Sequence, residues 1–329
     1  MAIKDITTLK VALLSGGWSD EREVALTSGR AVAQALADAG FENVDFIDIA
    51  EAGFASKLEQ GGYDVAFIAM HGNYGEDGCI QGLLECLRIP YTFSHVRSSA
   101  ASMDKNLAKL IYSSWDIPTP DGYEIDPDTL VTDEDIEEMA DELGFPMFVK
   151  PVSNGSSFGI TRVTDIEGIR PAIEEARKDG SVVLVEECIE GVEITVPVIG
   201  NSDAQALPIV EIVTGAEFYD SKVKYEPSEL HHVIPARLPE DVYQLAQEYA
   251  VLAHKALGCS GVSRTDFIVT EDGTPVVLET NTIPGMTPTS LLPDSARHAG
   301  IAFPELCKRF GIGSVPTFIS FKDGEIVRR

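Results

Sequence analysis

The stretch from residue 10 to residue 39 constrains the architecture more than any other. Residues 10–14 read as a buried strand, Gly16 and Gly17 supply a turn, and residues 20–39 carry helical periodicity opened by Ser19 or Asp20 and stopped at Gly40. The theme repeats with a short strand around Val44, Phe46, Ile47 and Ile49, then a wholly apolar run over 65–70. A strand apolar on both faces needs cover on both, which parallel sheets flanked by helices provide. The protein is expected to begin with a parallel α/β domain.

Further along the pattern changes. Residues 125–143 carry nine acidic residues and no basic one, while Leu130, Ile136, Met139 and Leu143 keep helical spacing, which predicts a helix with a solvated acidic face. Strands follow at 148–149 and 182–185, then an alternating strand through Ile194, Val196 and Val198, then a hairpin over 267–278 turned at Asp272-Gly273. Strand-rich α+β character is expected after the first domain.

The formal net charge of −28 excludes a general electrostatic grip on nucleic acid or an anionic membrane. A chain of 329 residues with 44% hydrophobic and 24% charged residues is expected to build a real core, in two or three domains. No apolar run is long enough to span a membrane. The start is interrupted by Lys4, Asp5 and Lys10 and its short apolar stretch is cut off at Ser15, so it lacks the apolar segment of a signal peptide. The five cysteines, Cys79, Cys86, Cys188, Cys259 and Cys307, form no CxxC pair and are odd in number, which fits a reduced cytoplasm.

Neither common nucleotide motif is present: no GxGxxG follows the first strand and there is no GxxxxGK[ST]. A bound nucleotide would need another grip on its phosphates. Two segments could supply it. In VKPVSNGSSFG, residues 149–159, a lysine ends a strand and a small-residue loop follows, where backbone N–H groups, the hydroxyls of Ser156 and Ser157, and Lys150 could all meet phosphate. Alone, such a stretch is more often a plain loop. In SRTDFIVTEDGTPVVLETN, residues 263–281, antiparallel pairing would bring Asp266 to the end of the partner strand that carries Glu279 and Asn281. Three oxygen donors would then converge, a set that suits Mg²⁺, although ordinary polar strand ends would look the same. Arg264 should project on the side of Asp266 and could hold a substrate anion.

Taken in order, SGGWSDEREVAL (15–26), AMHGNYGEDGCIQGLLE (69–85), SMDK (102–105), VKPVSNGSSFG, the Lys224-Tyr225 pair and ETNTIPGMT (279–287) resemble the D-alanine–D-alanine ligases of the ATP-grasp superfamily over roughly residues 8–310. The resemblance implies three domains: an N-terminal parallel α/β substrate domain over 1–98, a central ATP-grasp subdomain over 99–185 and a C-terminal one with the metal site over 186–310, followed by an atypical tail over 311–329. It implies ATP as a substrate, two Mg²⁺ ions with Mn²⁺ as an alternative, a homodimer through the first domain, and a D-alanyl phosphate attacked by a second D-alanine. It also implies roles. Glu21 binds the first ammonium, His71 lies near the first carboxylate, and Ser156 with Tyr225 and Glu21 orders the site. Lys105, Lys150, Ser157 and Lys224 serve the phosphates. Glu186, Glu187, Cys188 and Ile189 meet the adenine edge and Glu193 the ribose. Arg264 and the Gly285 backbone steady the tetrahedral intermediate, Ser290 and Leu291 hold the second carboxylate, and Asp266, Glu279 and Asn281 hold metal. Tyr225 at the lid position favours dipeptide over depsipeptide synthesis.

The chain departs from that pattern at Phe93, where a glycine is common, and at Ser221, where an aromatic is usual. After Phe310 the expected helical ending gives way to GIGSVPTFISFKDGEIVRR, which is similar to the strand-turn-strand segment of thioredoxins with its turn at Lys322-Asp323-Gly324. Without a CxxC, redox activity is not expected. Two rival classes are another ATP-grasp ligase and a nucleotide-binding module that has lost catalysis. The first is opposed by the HGNYGEDG and EREV segments, the second by the retention of Lys105, Lys150, Arg264, Asp266, Glu279 and Asn281.

Overall fold

In the computed structural model, residues 6–152, 159–178, 180–214, 230–287, 289–315, 319–322 and 325–328 are described. The first layer is a parallel sheet of order β2-β1-β3, from β1 (Val11–Ser15), β2 (Val44–Asp48) and β3 (Val65–Ile68). Every residue of β1 and β3 is buried, as strands covered on both faces require. Helix α1 (Arg22–Asp38) and the shorter α2 (Phe54–Gln60) and α3 (Cys79–Leu87) complete this layer. Helix α1 begins later than its sequence suggests: Glu21 is the capping position and its side chain makes no cap hydrogen bond.

Helices α4 (Val96–Met103) and α5 (Lys105–Ser113) leave the first layer, and the Asp104 carboxylate caps α5 by accepting from the Leu107 N–H at 2.9 Å. A four-stranded antiparallel sheet follows, in the order β4-β7-β5-β6, from β4 (Gly122–Ile125), β5 (Met147–Pro151), β6 (Thr161–Val163) and β7 (Val183–Glu187). Helices α6 (Asp133–Leu143) and α7 (Ile169–Ala176) cover it. The acidic segment forms α6 with a capping box between Thr132 and Asp135, and Ile136 and Met139 face the core. Leu130 departs from its expected place. It precedes the helix and is 82% exposed, because the cap at Thr132 starts the helical period only after it.

The third sheet is antiparallel, in the order β11-β10-β8-β12-β13, with β9 pairing β8. Its strands are β8 (Val192–Ile199), β9 (Gln205–Ala206), β10 (Val210–Thr214), β11 (Leu230–Val233), β12 (Val262–Val269) and β13 (Pro275–Asn281). Helix α8 (Glu240–Leu257) packs on it and shares its core with Ala101, Ala108 and Tyr112 of α4 and α5. The hairpin is longer than its central signal, and Gly273, at φ +86°, makes its turn.

Helix α9 (Leu291–His298) and the closing turns return to the first layer. A helical turn over Phe303–Glu305 widens into a π-helical turn over Leu306–Gly311 and tightens again over Ile312–Ser314. The switch to strand expected at Gly311 therefore comes later, because Ile312 is buried in the first core. Strands β14 (Ile319–Lys322) and β15 (Glu325–Arg328) then pair antiparallel, Lys322 opposite Glu325. Phe93 adopts φ +72°, the region that favours glycine, yet its ring is 1% exposed and meets Phe67 edge-on at 5.3 Å. Ser221 lies outside the described residues. All five cysteines are free thiols. Among the described residues no helix is long and apolar enough to cross a membrane.

Candidate active site

The three layers enclose one cleft of about 1500 Å³. Of the candidate residues, Ser156, Ser157, Lys224 and Tyr225 lie outside the described residues; the other sixteen all line this cleft.

One end is built by the first layer. The Gly16-Gly17 turn is held by Asp48, whose carboxylate accepts from Gly17 N–H at 3.3 Å and from Arg22 Nη1 at 3.0 Å. That clamp fixes the start of α1 and so the place of Glu21. Glu21 reaches over Gly72: a Cβ there would fall 2.4 Å from Glu21 Oε2, and the backbone stands at φ +67°. Only glycine gives the carboxylate that room. His71 follows β3 and is 4% exposed. Its Nδ1–H donates to the Ile283 carbonyl at 3.1 Å, so Nε2 accepts from Ser28 Oγ at 2.8 Å, and Ser28 Oγ also receives the Met286 N–H at 3.3 Å. Burial pushes the imidazole pKa down, which keeps the ring neutral in this tautomer.

Glu76 was not singled out in the sequence. Its carboxylate accepts from the N–H groups of Gly72 at 2.9 Å and Ile283 at 3.0 Å, tying the first layer to the segment after β13. Burial, then the nearby Glu21 charge, pushes its pKa up to about 8. Its position inside HGNYGEDG was the available signal.

The other end is charged. On β12 and β13, Asp266 stands directly opposite Glu279 and Arg264 opposite Asn281. Arg264 grips Asp266 with Nε and Nη2 at 2.9 and 2.8 Å; Asp266 also accepts from Thr195 Oγ1 and from Asn281 Nδ2 at 3.3 Å. Lys105 Nζ meets Glu279 Oε2 at 3.2 Å. Lys150 and Lys109 both form ion pairs with Glu186, which is 3% exposed. Burial, reinforced by the charges of Lys105 and Lys109, lowers the Lys150 ammonium to about 7. Behind the carboxylates Tyr112 OH donates to Thr280 Oγ1 at 2.7 Å, and the Thr265 and Thr280 hydroxyls lie 2.9 Å apart.

Between the ends, Glu187 serves the sheet: its N–H donates to the Asp121 carbonyl at 3.1 Å and its carboxylate accepts from Asp121 N–H at 2.9 Å. Cys188, Ile189 and Glu193 continue along the same wall. Ser290 occupies the position before α9, and its Oγ accepts from Thr287 N–H at 3.0 Å rather than from the helix. A Cβ at Gly285 would fall 2.8 Å from Ser290 Oγ, so these two candidates are neighbours. Leu291 opens α9, where backbone N–H groups and the helix dipole favour an anion.

Two family models match the chain, "D-ala D-ala ligase N-terminus" over residues 49–94 and "D-ala D-ala ligase C-terminus" over 111–310. The D-alanine–D-alanine ligase of Desulforamulus reducens is 45% identical over 305 residues, covering 92% of this chain and 97% of the relative. The chain belongs to the D-alanine–D-alanine ligase family. That of Syntrophotalea carbinolica is 43% identical, covering 95% of this chain and 99% of its own length. Among solved structures, the Bacillus anthracis D-alanine–D-alanine ligase complexed with ATP superposes with a TM-score of 0.80 at 34% identity, covering 94% of this chain and 97% of that one. The VanG D-Ala:D-Ser ligase of Enterococcus faecalis reaches 0.77 at 30% identity, covering 92% and 98%. The fold is therefore the ATP-grasp architecture of these D-alanine–D-alanine ligases, with a parallel α/β layer at its N-terminus.

Proposed function

We propose that the cleft joins two D-alanine molecules in an ATP-dependent reaction, through a D-alanyl phosphate, releasing ADP and phosphate and supplying peptidoglycan precursors. One observation carries the reading: residues scattered from Glu21 to Leu291 line a single cleft whose two ends have the chemistry of the two substrates.

Glu21 receives the ammonium of the first D-alanine, and His71, held neutral, stands by its carboxylate. Lys105, Lys150 and Lys224, with Ser157, bind the phosphates; Glu186 to Ile189 border the adenine and Glu193 the ribose. Arg264 and the Gly285 N–H stabilise the negative oxygen formed when the second amine attacks, a service worth roughly 2.7–4 kcal/mol for a well-placed donor. Ser290 and Leu291 hold the second carboxylate at the start of α9. Ser156 and Tyr225 order the site with Glu21, and closure over the acyl phosphate excludes water. The division of labour follows the chain as 1–98, 99–185 and 186–310, with 311–329 as a tail; the core from Ile125 to Val185 supports the middle unit, while Ala101, Ala108 and Tyr112 pack with the third sheet and Ile312 with the first.

Among the described residues no group of three His, Cys, Asp or Glu is placed to hold a metal; here the third donor is the amide of Asn281. The donor set fits a hard cation: Asp266 and Glu279 face each other, and each already draws a cation from the chain, Arg264 and Lys105. Asp266, Glu279 and Asn281 would hold two Mg²⁺, or Mn²⁺, which when bound neutralise phosphate charge. The reading includes a homodimer through the first layer, which gel filtration checks, and a cytoplasmic location.

Phosphate release measured across a panel of D-amino acids and D-lactate tests the reaction. D-Alanine alone should drive turnover with dipeptide as product. Turnover independent of D-alanine, or depsipeptide formed faster than dipeptide at neutral pH, would overturn the assignment.

A further inference from the structure

Helix α5 carries two lysines one turn apart, Lys105 and Lys109, each 8% exposed. Like charges at this spacing repel, so each needs a carboxylate, and the two carboxylates lie on different sheets. Lys105 reaches Glu279 on β13 at 3.2 Å. Lys109 donates to the Pro120 carbonyl at 3.0 Å and forms an ion pair with Glu186 on β7. Glu186 is shared with Lys150 on β5, so one buried carboxylate stands between two ammoniums. Lys105, Lys150 and Glu186 line the cleft, with Lys109 one layer behind them.

We propose that Lys109 is a positioning residue for the nucleotide. The inference rests on reading Lys150 as a phosphate lysine. With both ammoniums protonated, the state a polyanion in the cleft favours, the Lys109–Glu186–Lys150 group carries a net charge of +1, and its cleft-facing member is Lys150. Without Lys109, Lys150 and Glu186 become a neutral buried pair, and the attraction offered to a polyphosphate falls. Lys109 also fixes β7 to the helix whose other lysine holds β13, and so sets the spacing of the two sheets on either side of the phosphate end.

The test is calorimetric binding of a non-hydrolysable ATP analogue and of adenosine to the full chain, with steady-state kinetics. Lys109→Met should weaken the analogue at least tenfold and adenosine less than threefold. It should raise KM for ATP while kcat at saturating ATP and KM for D-alanine stay within threefold, and Lys109→Arg should restore analogue binding. Analogue affinity unchanged in Lys109→Met, or an equal loss for analogue and adenosine, overturns the inference. Lys109→Gln, which keeps a donor for the Pro120 carbonyl but no charge, should show the same selective loss of the analogue; analogue affinity equal to the parent there also overturns the inference, and this arm decides the matter if Lys109→Met does not fold. Lys150→Met separates the two readings. If it leaves analogue binding unchanged, the phosphate role of Lys150 and the inference both fall; if it weakens binding while Lys109→Met does not, only the inference falls.

Discussion

The two ends of the cleft are built on opposite principles. At the proposed amino-acid end, His71 is buried and Glu76 half-buried, both are bonded to backbone groups, and desolvation pushes both toward their neutral forms. At the phosphate end Lys105, Lys109, Lys150 and Arg264 each meet a carboxylate of the chain. The first end is fixed by bonds within the chain, with Glu21 proposed to receive the ammonium. The second keeps its charges matched to one another, so that an arriving polyanion must exchange partners with them. Rigidity suits selection of a small zwitterion; exchangeable ion pairs suit an anion that must later leave as ADP.

The largest effect should come from the phosphate end. Glu279→Gln removes the partner of Lys105 and a proposed metal ligand, and turnover should fall at least about 100-fold with little change in melting temperature. Retained activity at saturating Mg²⁺ would show that this carboxylate is not a ligand and that the two ends differ less than argued. At the amino-acid end, Gly72→Ala drives a methyl group into the Glu21 carboxylate. A displacement of that size should lower kcat/KM for D-alanine by about 100-fold while KM for ATP holds. If both substrates suffer alike, the ends are not independent.

A pH experiment sharpens the contrast further. The Glu76 pKa is raised in the fold, to about 8 from an ordinary 4.5. The folded state therefore holds a proton that the unfolded chain has lost, so this contribution is complete below about 4.5 and is lost as pH rises through about 8. Glu76→Gln removes the titration. Its stability relative to the parent should improve from pH 5 to pH 9 by up to about 4 kcal/mol, measured by denaturant unfolding; an identical difference at both pH values would contradict the assigned shift. The smallest effect should lie far from either end. Ending the chain after Val315 should leave kinetics and melting temperature close to the parent, whereas ending it after Phe310 also removes buried Ile312 and should lower the melting temperature by roughly 5 °C. Equal losses would make the β14–β15 hairpin integral to the fold.

Much of this was legible along the chain because it follows from local rules. Period-2 alternation and the Asp-Gly turn place Asp266 across from Glu279, and the unbroken apolar runs of β1 and β3 require cover on both faces. Leu130 misled because a helical spacing does not say where the cap falls. Lys109 and Glu76 were passed over for a different reason. A lysine one turn from another, or a glutamate among glycines, is ordinary on a surface, and only burial makes it costly enough to demand a partner.

The sequence alone determined the opening strand-turn-helix unit, the acidic helix, the hairpin with its Asp-Gly turn and the residue types proposed to meet ATP and D-alanine, since these depend on neighbours within a few positions. Tertiary structure decided which charges face each other: Glu186 between Lys109 and Lys150, Arg264 on Asp266, Glu76 on the backbone of Ile283. Those pairings join residues 2 to 207 positions apart. They follow from desolvation, which acts on groups brought together in space whatever their separation along the chain.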